Sequence, residues 1–408
     1  MAEFIFPYKN ISPNIEETTN WELCKIFIRF VLKKNYGRKI WREMMIKGLE
    51  DGTIMAPAIL VTGGAGYVGS HTVMALLERE DTTHEIVVVD NLINAYRADG
   101  EKKPEPLKRI EEMTGRKIHF YDVDIRDREG LNRIFENHSI DCVIHFAALK
   151  AVGESVQKPL EYYQANIAGT CTLFEAMRKH GVYKLVYSSS CTVYGEPEKL
   201  PLDEGHPTGQ GIASPYGRSK FFCEEIMKDL CRSDQKWMVI SLRYFNPVGA
   251  HRSGRIGEDP AGLPNNLMPF IAQVAVGRLK ELMVFGNDYP TADGTGVRDY
   301  IHVQDLADGH VKAIKLFQQP GFSGFHAVNL GTGTGYSVLQ MVKAFEKASG
   351  RKIPYKIVGR RAGDIAANYA DVSLSHRLLG WRATRTLDDM CQDTWRWQSA
   401  NPEGFQKS

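Results

Sequence analysis

A β-branched run, Ala58-Ile59-Leu60-Val61, passes without a break into Thr62-Gly63-Gly64-Ala65-Gly66-Tyr67-Val68-Gly69, and a stretch of helical period follows from His71. Strand, glycine turn and helix in that order constrain the chain more than any other feature. Gly63, Gly66 and Gly69 stand three apart. Residues without a Cβ let the turn tighten and let its backbone approach an anion. The helix that follows offers that anion unpaired N–H groups and its positive end. A glycine triplet alone is common in strand–helix turns. Here Asp90 closes the next β-branched run, 21 residues after Gly69. A carboxylate at that place accepts hydrogen bonds from ribose hydroxyls and repels a 2′-phosphate, so the pattern points to NAD rather than NADP.

The alternation continues. Strands are expected at 58–62, 86–90, 118–122, 142–146, 184–188 and 239–244, with helical period over 71–80, 128–136, 160–180 and 216–231. Strands and helices alternating at this spacing predict right-handed crossovers and a parallel sheet. The fold expected is α/β: a Rossmann-type doubly wound parallel sheet with a smaller C-terminal α/β substrate lobe. After Asn246 the pattern loosens into Gly- and Pro-rich loops. The expected division is a 1–55 N-terminal extension, a 56–245 NAD-binding domain and a 246–408 substrate lobe, some of whose segments return to the first domain.

The 408 residues are 43 % hydrophobic and 25 % charged, ordinary for a globular protein. Lys and Arg number 51 against 49 Asp and Glu, which gives no global field for a nucleic-acid partner. No apolar run is long enough for a membrane span. The seven cysteines are scattered without Cys-x-x-Cys spacing, so neither a disulfide framework nor a metal site is expected. From Trp21 to Lys47 eight Lys/Arg stand against two Glu. Such a stretch can rest on a membrane surface or a partner; the simpler reading is a non-catalytic extension. The start, Met-Ala-Glu-Phe, lacks a basic n-region, and Glu3, Glu16 and Glu17 argue against a transit peptide, so a cytoplasmic location is expected.

The fifth strand ends in Ser188-Ser189-Ser190-Cys191-Thr192, and Tyr216-Gly217-Arg218-Ser219-Lys220 opens a later helix. Tyr and Lys four apart share one helical face. A phenol holds its proton to about pH 10, but an adjacent ammonium and a cationic nicotinamide favour phenolate. With a serine hydroxyl to hold the substrate oxygen, this set can remove an alcohol proton while hydride leaves for NAD.

These residues resemble the extended short-chain dehydrogenase/reductase family. Within it the chain is similar to the UDP-glucose 4-epimerase (UDP-galactose 4-epimerase) family of animal type, over blocks 61–71, 90–97, 145–159, 188–195, 214–222, 242–250, 262–269, 284–306, 329–341 and 360–370. The resemblance implies reversible inversion at C4 of a UDP-hexose through a transient 4-keto sugar, with NAD tightly bound and not consumed. It implies Tyr216 as base, Lys220 as its electrostatic partner and Ser190 as a proton-sharing hydroxyl. It implies NAD contacts from Gly63, Gly66, Tyr67, Val68, Gly69, Asp90, Asn91, Asn94, Asp124, Ile125, Phe146, Lys150, Tyr216, Lys220 and Tyr244. For the UDP-sugar it implies Ser190, Cys191, Thr192, Tyr244, Phe245, Asn246, Asn265, Asn266 and Leu267. It sets Met283, Val284 and Phe285 beside the uracil, and Arg298, Arg361 and Asp364 on the diphosphate and ribose.

In this family the position of Asn368 faces the sugar's 2-substituent, where Tyr excludes N-acetyl groups. Asn is smaller, so UDP-GlcNAc and UDP-GalNAc are also expected substrates. A homodimer built on residues 160–180 and 216–231 is a further implication. The alternatives are an NAD-dependent nucleotide-sugar 4,6-dehydratase and a non-catalytic NAD-binding sensor. A dehydratase carries Asp and Glu where this chain has Cys191 and Thr192, and the intact Tyr216, Lys220 and Ser190 argue against a sensor.

Overall fold

Seven parallel strands make the centre of the fold, β1 (Pro57–Thr62), β2 (Glu85–Asp90), β3 (Ile118–Asp122), β4 (Ser139–His145), β5 (Lys184–Ser190), β6 (Met238–Tyr244) and, much later in the chain, β10 (Gly324–Leu330). This computed structural model describes residues 55–79, 83–361 and 363–406. The chain divides into Met1–Ala56 and Pro57–Ser408, and the second unit is the subject here. The basic stretch from Trp21 to Lys47 lies outside the described residues.

The strand order is β10-β6-β5-β4-β1-β2-β3. The chain runs outward from β1 to β3, then returns to lay β4 on the other side of β1. That reversal opens a crevice at the carboxyl ends of β1 and β4, the place where doubly wound sheets bind ligands. Helices α1 (Tyr67–Leu77), α2 (Glu105–Thr114) and α3 (Arg128–Asn137) make the first crossovers. The central strands are nearly unbroken apolar runs because both faces are covered. One face packs Ile59, Val61, Ile86 and Val88 against α1 and α2; the other packs Leu60, Val87, Val89 and Val143 against α3.

All six strands expected from the sequence are present. The seventh, β10, escaped notice because Phe325-His326-Ala327-Val328-Asn329 mixes polar and apolar residues; its full pairing with β6 supplies what its composition lacks. The expected helix over 160–180 is interrupted. After α4 (Val152–Gln157), α5 (Pro159–Tyr163) widens into a π turn, Gln164–Ala168, before α6 (Gly169–Lys179). Within that turn the Asn166 side chain bonds Leu149 N and O and donates to Ser219 Oγ, which anchors it to α7 (Pro215–Ser233). Pro215 at the first helical position and Ser214 Oγ, accepting from Gly217 N at 3.1 Å, set where α7 starts.

The remaining elements form the smaller lobe. Strands β7 (Asn246–Val248), β9 (Val297–His302), β11 (Gly335–Ser337) and β13 (Ala367–Asn368) make one sheet, and β8 (Leu282–Phe285) pairs with β12 (Tyr355–Val358). Helices α8 (Leu267–Ala275), α10 (Val338–Ser349) and α11 (Leu387–Ala400) enclose a core of Met268, Ile271, Val284, Phe345 and Met390. Helix α9 (Val303–Leu316) belongs to the large sheet and packs on α1, β5 and β6.

Beneath the crevice lies a fully buried ion pair, Glu224 on α7 with Arg243 on β6. Arg243 Nη2 donates to Glu224 Oε2 at 2.7 Å, and Nε to Oε1 at 3.0 Å. Removing one member of such a pair strands the other charge in the interior. Glu224→Ala should therefore lower the free energy of unfolding by about 3–5 kcal/mol, read from urea denaturation. Wild-type stability in this variant would show that Arg243 finds water or another partner.

Candidate active site

Two glycines of the turn, Gly63 and Gly69, have a steric reason. Gly63 has φ +69°, and a Cβ there would meet Ala147 N at 2.6 Å. On Gly69 it would lie 2.2 Å from Gly63 O. Gly66 is the extended N-cap of α1, no side chain caps that helix and its first turn holds no acidic residue. The helix end is thus an open, positively polarised cradle that suits a pyrophosphate. Tyr67 and Val68 begin α1, with Val68 packed on the core and Tyr67 Oη donating to Gly249 O at 2.6 Å.

Asp90 has a second task that the sequence did not reveal. Its Oδ2 accepts from Ala65 N at 3.0 Å and its Oδ1 from Leu92 N at 2.9 Å, so it ties the glycine turn to the β2 end. Burial pushes its carboxyl above the ordinary range. Asn91 Nδ2 donates to Asp124 Oδ2 at 2.8 Å. Arg126 forks onto Asp124 at 2.8 and 2.7 Å and holds that carboxyl down at about 2. Ile125 is buried beside them and Asn94 is exposed in the turn after β2. Phe146, past the end of β4, donates its N–H to Thr62 O at 2.9 Å. Lys150 Nζ bonds Glu258 Oε1 at 3.1 Å, and Asn266 Nδ2 donates to that oxygen at 3.1 Å. Glu258 is a residue the sequence reading missed.

At the end of β5, Ser190 Oγ accepts from Thr192 N at 3.2 Å and from Thr192 Oγ1 at 3.0 Å. With its lone pairs engaged, its own proton is left to donate toward the adjacent Tyr216 phenol. Burial pushes Tyr216 up to about 12, and the Ser190 hydrogen bond opposes the rise. Lys220 Nζ lies 6.0 Å from the Tyr216 ring and 4.9 Å from that of Tyr187, and donates to Ser188 O at 2.6 Å. Burial brings Lys220 down to about 8. Cys191 is no nucleophile here, since burial raises its thiol to about 12. Nor is His145 a base. Thr170 gives its proton to Asn166 O, so it accepts from His145 Nε2 at 2.9 Å; Thr62 Oγ1 is 2.6 Å from Nδ1, and burial holds the ring neutral.

Toward the smaller lobe, Tyr244 ends β6, Phe245 is buried beside Cys191 and Asn246 opens β7. Asn265 is exposed, Asn266 stands at the N-cap position of α8 without a side-chain cap bond and Leu267 begins the helix. On β8, Met283 and Phe285 face outward while Val284 turns into the core, so the two outward side chains share a face without it. The Arg361 guanidinium lies 4.6 Å from the Phe285 ring centroid, and its Nε 3.5 Å from Asp364. Arg298 Nη1 donates to Val297 O and Ile365 O, both at 2.9 Å, and its Nη2 is 4.0 Å from Asp364. Asn368 pairs with Arg298 across β13 and β9 and reaches the Cys191 thiol, which links the arginine side to the Ser190 strand end. The Asn368 Oδ1 is buried without a partner. Among the described residues no group of three or more His, Cys, Asp or Glu is placed to hold a metal.

The sequence reading also missed Glu224, Arg243 and His310. A lone Arg inside the apolar strand 239–244 was the available signal for the first two, since a charge in a buried strand demands a partner. The buried His310 sits 4.8 Å from the Phe146 ring and carried no such signal.

A phenol, an ammonium and a serine hydroxyl beside a dinucleotide-type cradle are the marks of an extended short-chain dehydrogenase/reductase. Residues 60–394 match the family model described as GDP-mannose 4,6 dehydratase. The chain is 62 % identical over 349 residues to a UDP-glucose 4-epimerase of Drosophila melanogaster, covering 86 % of this chain and 98 % of that one. It is 60 % identical over 351 residues to the Homo sapiens enzyme, covering 86 % and 99 %. The crystal structure of UDP-glucose 4-epimerase from Bifidobacterium longum in complex with NAD+ and UDP superposes with a TM-score of 0.79 at 51 % identity, over 85 % of this chain and 99 % of that one. The chain belongs to the UDP-glucose 4-epimerase family.

Proposed function

We propose that this enzyme reversibly interconverts UDP-glucose and UDP-galactose at C4, with NAD retained through turnover. The observation that carries the reading is the convergence of Ser190, Tyr216 and Lys220 at the β5 end, on the same carboxyl edge of the parallel sheet as the glycine turn that follows β1. The backbone of Gly63, Gly66, Tyr67, Val68 and Gly69 would hold the pyrophosphate, Asp90, Asn91, Asn94, Asp124 and Ile125 the adenosine, and Phe146, Lys150, Lys220 and Tyr244 the nicotinamide half. Bound NAD supplies the hydride acceptor and a positive ring that favours phenolate. Burial by itself keeps the phenol protonated at neutral pH, so that added charge is needed. Tyr216 then takes the sugar 4-hydroxyl proton, Ser190 keeps O4 in place, and Lys220 stabilises the charge left on the phenol. With the C4 hydride taken up by the bound nicotinamide, the 4-keto sugar would turn about its link to the diphosphate; the same hydride would return to the opposite face of C4 while Tyr216 gives the proton back to O4. Arg298, Arg361 and Asp364 would hold the diphosphate and ribose, with Met283 and Phe285 beside the base.

The dehydratase alternative is not favoured. Its elimination needs an acid and a base at the strand end, where this chain has a buried thiol and a hydroxyl, Cys191 and Thr192. Purified protein given UDP-galactose and no added cofactor should form UDP-glucose. Tyr216→Phe should lose about 10²–10⁴-fold in kcat. Absence of UDP-glucose with wild-type protein would falsify the reading.

Three finer assignments accompany it. Residues 56–245 would bind NAD and 246–408 the UDP-sugar, with β10 returning to the first sheet. A cytoplasmic location fits chemistry on soluble UDP-sugars, and among the described residues no helix is long and apolar enough to cross a membrane. The buried, unpartnered Asn368 Oδ1 can accept the N–H of a 2-acetamido group, which supports action on UDP-GlcNAc and UDP-GalNAc. Wild-type protein should convert both N-acetylated sugars, and Asn368→Tyr should lose that activity at least tenfold more than activity on UDP-galactose; equal losses would sink the assignment.

A second copy of the chain is the expected partner. Val152, Val156, Leu160 and Phe222 are exposed apolar side chains on α4, α5 and α7, three helices that pack together. Apolar side chains gathered on one face mark an association surface. Sedimentation should give a dimer for wild type and a monomer for Leu160→Arg/Phe222→Glu; a dimer in the double variant would place the interface elsewhere.

A further inference from the structure

Two phenols meet in this site. A charge on Tyr216 is felt at Tyr244, yet only one of them can serve as base. What separates them is visible in their hydrogen bonds. Tyr216 faces a donor, the Ser190 hydroxyl, which favours the ionised phenol. Tyr244 also meets a serine hydroxyl, that of Ser188, which favours its ionised form likewise, but in addition it faces an acceptor. His310 on α9 is fully buried, and its Nδ1 donates to Leu306 O at 2.8 Å, because a carbonyl can only accept. Its Nε2 is therefore the acceptor for Tyr244 Oη, 2.5 Å away. The imidazole is held neutral by burial, at about 4, so this tautomer persists at working pH. The Ser188 hydroxyl reaches the same phenol oxygen, and Lys220 holds the Ser188 carbonyl. His310 also bears on the Phe146 ring, centroids 4.8 Å apart at 45°, and on the Tyr244 ring, 5.3 Å apart at 66°. One side chain thus touches two residues that come from different strand ends.

We propose that His310 is a positioning residue of the redox centre: it fixes the Tyr244 hydroxyl as a committed donor and braces the Phe146 ring, so that Tyr216 alone of the two phenols is left to exchange protons with the sugar. Pairs of titratable groups pushed apart by their surroundings are how such sites divide roles. The hydrogen bonds and ring contacts of His310 run to Leu306, Tyr244 and Phe146. Its loss should therefore act on turnover and leave UDP-sugar binding alone. The inference rests on the reading that Phe146 and Tyr244 border the nicotinamide half of bound NAD.

The test uses the enzyme as purified, with UDP-galactose as substrate. His310→Leu should lower kcat roughly tenfold while KM stays within about twofold, the split expected when only transition-state interactions are lost. His310→Gln, which keeps an acceptor, should recover most of that loss. In a Tyr244→Phe background, His310→Leu should cost less than about twofold more, because the hydrogen bond it breaks is already gone. The same factor in both backgrounds would mean that His310 only fills space, and the proposal would fail. Should His310→Leu not fold, His310→Gln and His310→Asn replace it: the shorter amide should lose activity that the longer one keeps, and equal kcat would overturn the proposal. Wild-type protein that forms no UDP-glucose would defeat the epimerase reading, whereas an active wild type with indifferent His310 variants would defeat this inference alone.

Discussion

A carboxylate with no solvent exposure, Glu224, accepts four hydrogen bonds: from Ser189 Oγ, Ser241 Oγ, Arg243 Nε and Arg243 Nη2. Three elements meet at that group, α7 and the strands β5 and β6. One turn before it on α7 is Lys220, and one turn before that is Tyr216. One residue beyond its partner Ser189 is Ser190. The pair therefore sets both the rotation of α7 and the height of the β5 end. Arg243 passes the constraint outward, since Nη1 bonds Tyr194 Oη, which donates to Asn329 Oδ1 on β10. A buried ion pair is weak evidence for stability, because desolvating two charges offsets most of their attraction. What it offers here is geometry: an apolar pair of similar volume would let α7 slide, and the phenol and the hydroxyl would part.

The smaller lobe is fixed to the same frame by a second buried carboxylate. Asp299 on β9 accepts from Thr332 N and Oγ1, Gly333 N and Ala370 N. Burial raises its carboxyl while these donors oppose the rise. Arg298, its neighbour in sequence, points the other way. Asp299 therefore locks β9 to the segment after β13, and Arg298 and Asn368 keep their register through it. Neither carboxylate takes part in the proposed chemistry; each converts chain segments far apart in sequence into one rigid wall.

What could be read from the sequence follows from this division. Local patterns carried the strands, the glycine turn and the Tyr–Lys spacing, because each depends on residues within about five positions of one another. The proposed catalytic set also drew on local signals, Ser190 closing β5 and Tyr216 and Lys220 four apart at the start of α7. Long-range dependencies were not legible. Nothing near Asp90 says that its oxygens close the glycine turn through Ala65 N. Nothing near His310 says that β4 and β6 both end against it. The β10 strand shows the same limit, since His326 and Asn329 are unlike a central strand, and partners distant in sequence make Asn329 fit: the β6 ladder, Tyr194 Oη and Leu202 O. The interruption of the helix expected over 160–180 falls at Asn166, whose partners Leu149 and Ser219 lie outside that helix.

A transient ketone must turn over within the site, and that demand sets where polar groups can be tolerated. A wall that bonded the hexose strongly in one orientation would trap it. Charged groups of the smaller lobe gather instead at the end proposed for the nucleotide, where Arg298, Arg361 and Asp364 stand together and the Arg361 guanidinium lies over the Phe285 ring. Around the β5 end the hydroxyls are already occupied by the protein. Ser190 accepts twice from Thr192, Tyr244 is committed to His310, and Cys191 is closed off by burial. A sugar placed there meets groups whose hydrogen bonds are largely spoken for, apart from the Tyr216–Ser190 pair and the unpartnered Asn368 Oδ1. Binding strength drawn from the nucleotide and chemistry confined to one oxygen are then consequences of the same distribution. Weak restraint of the ring is what allows its two faces to be presented in turn to one base.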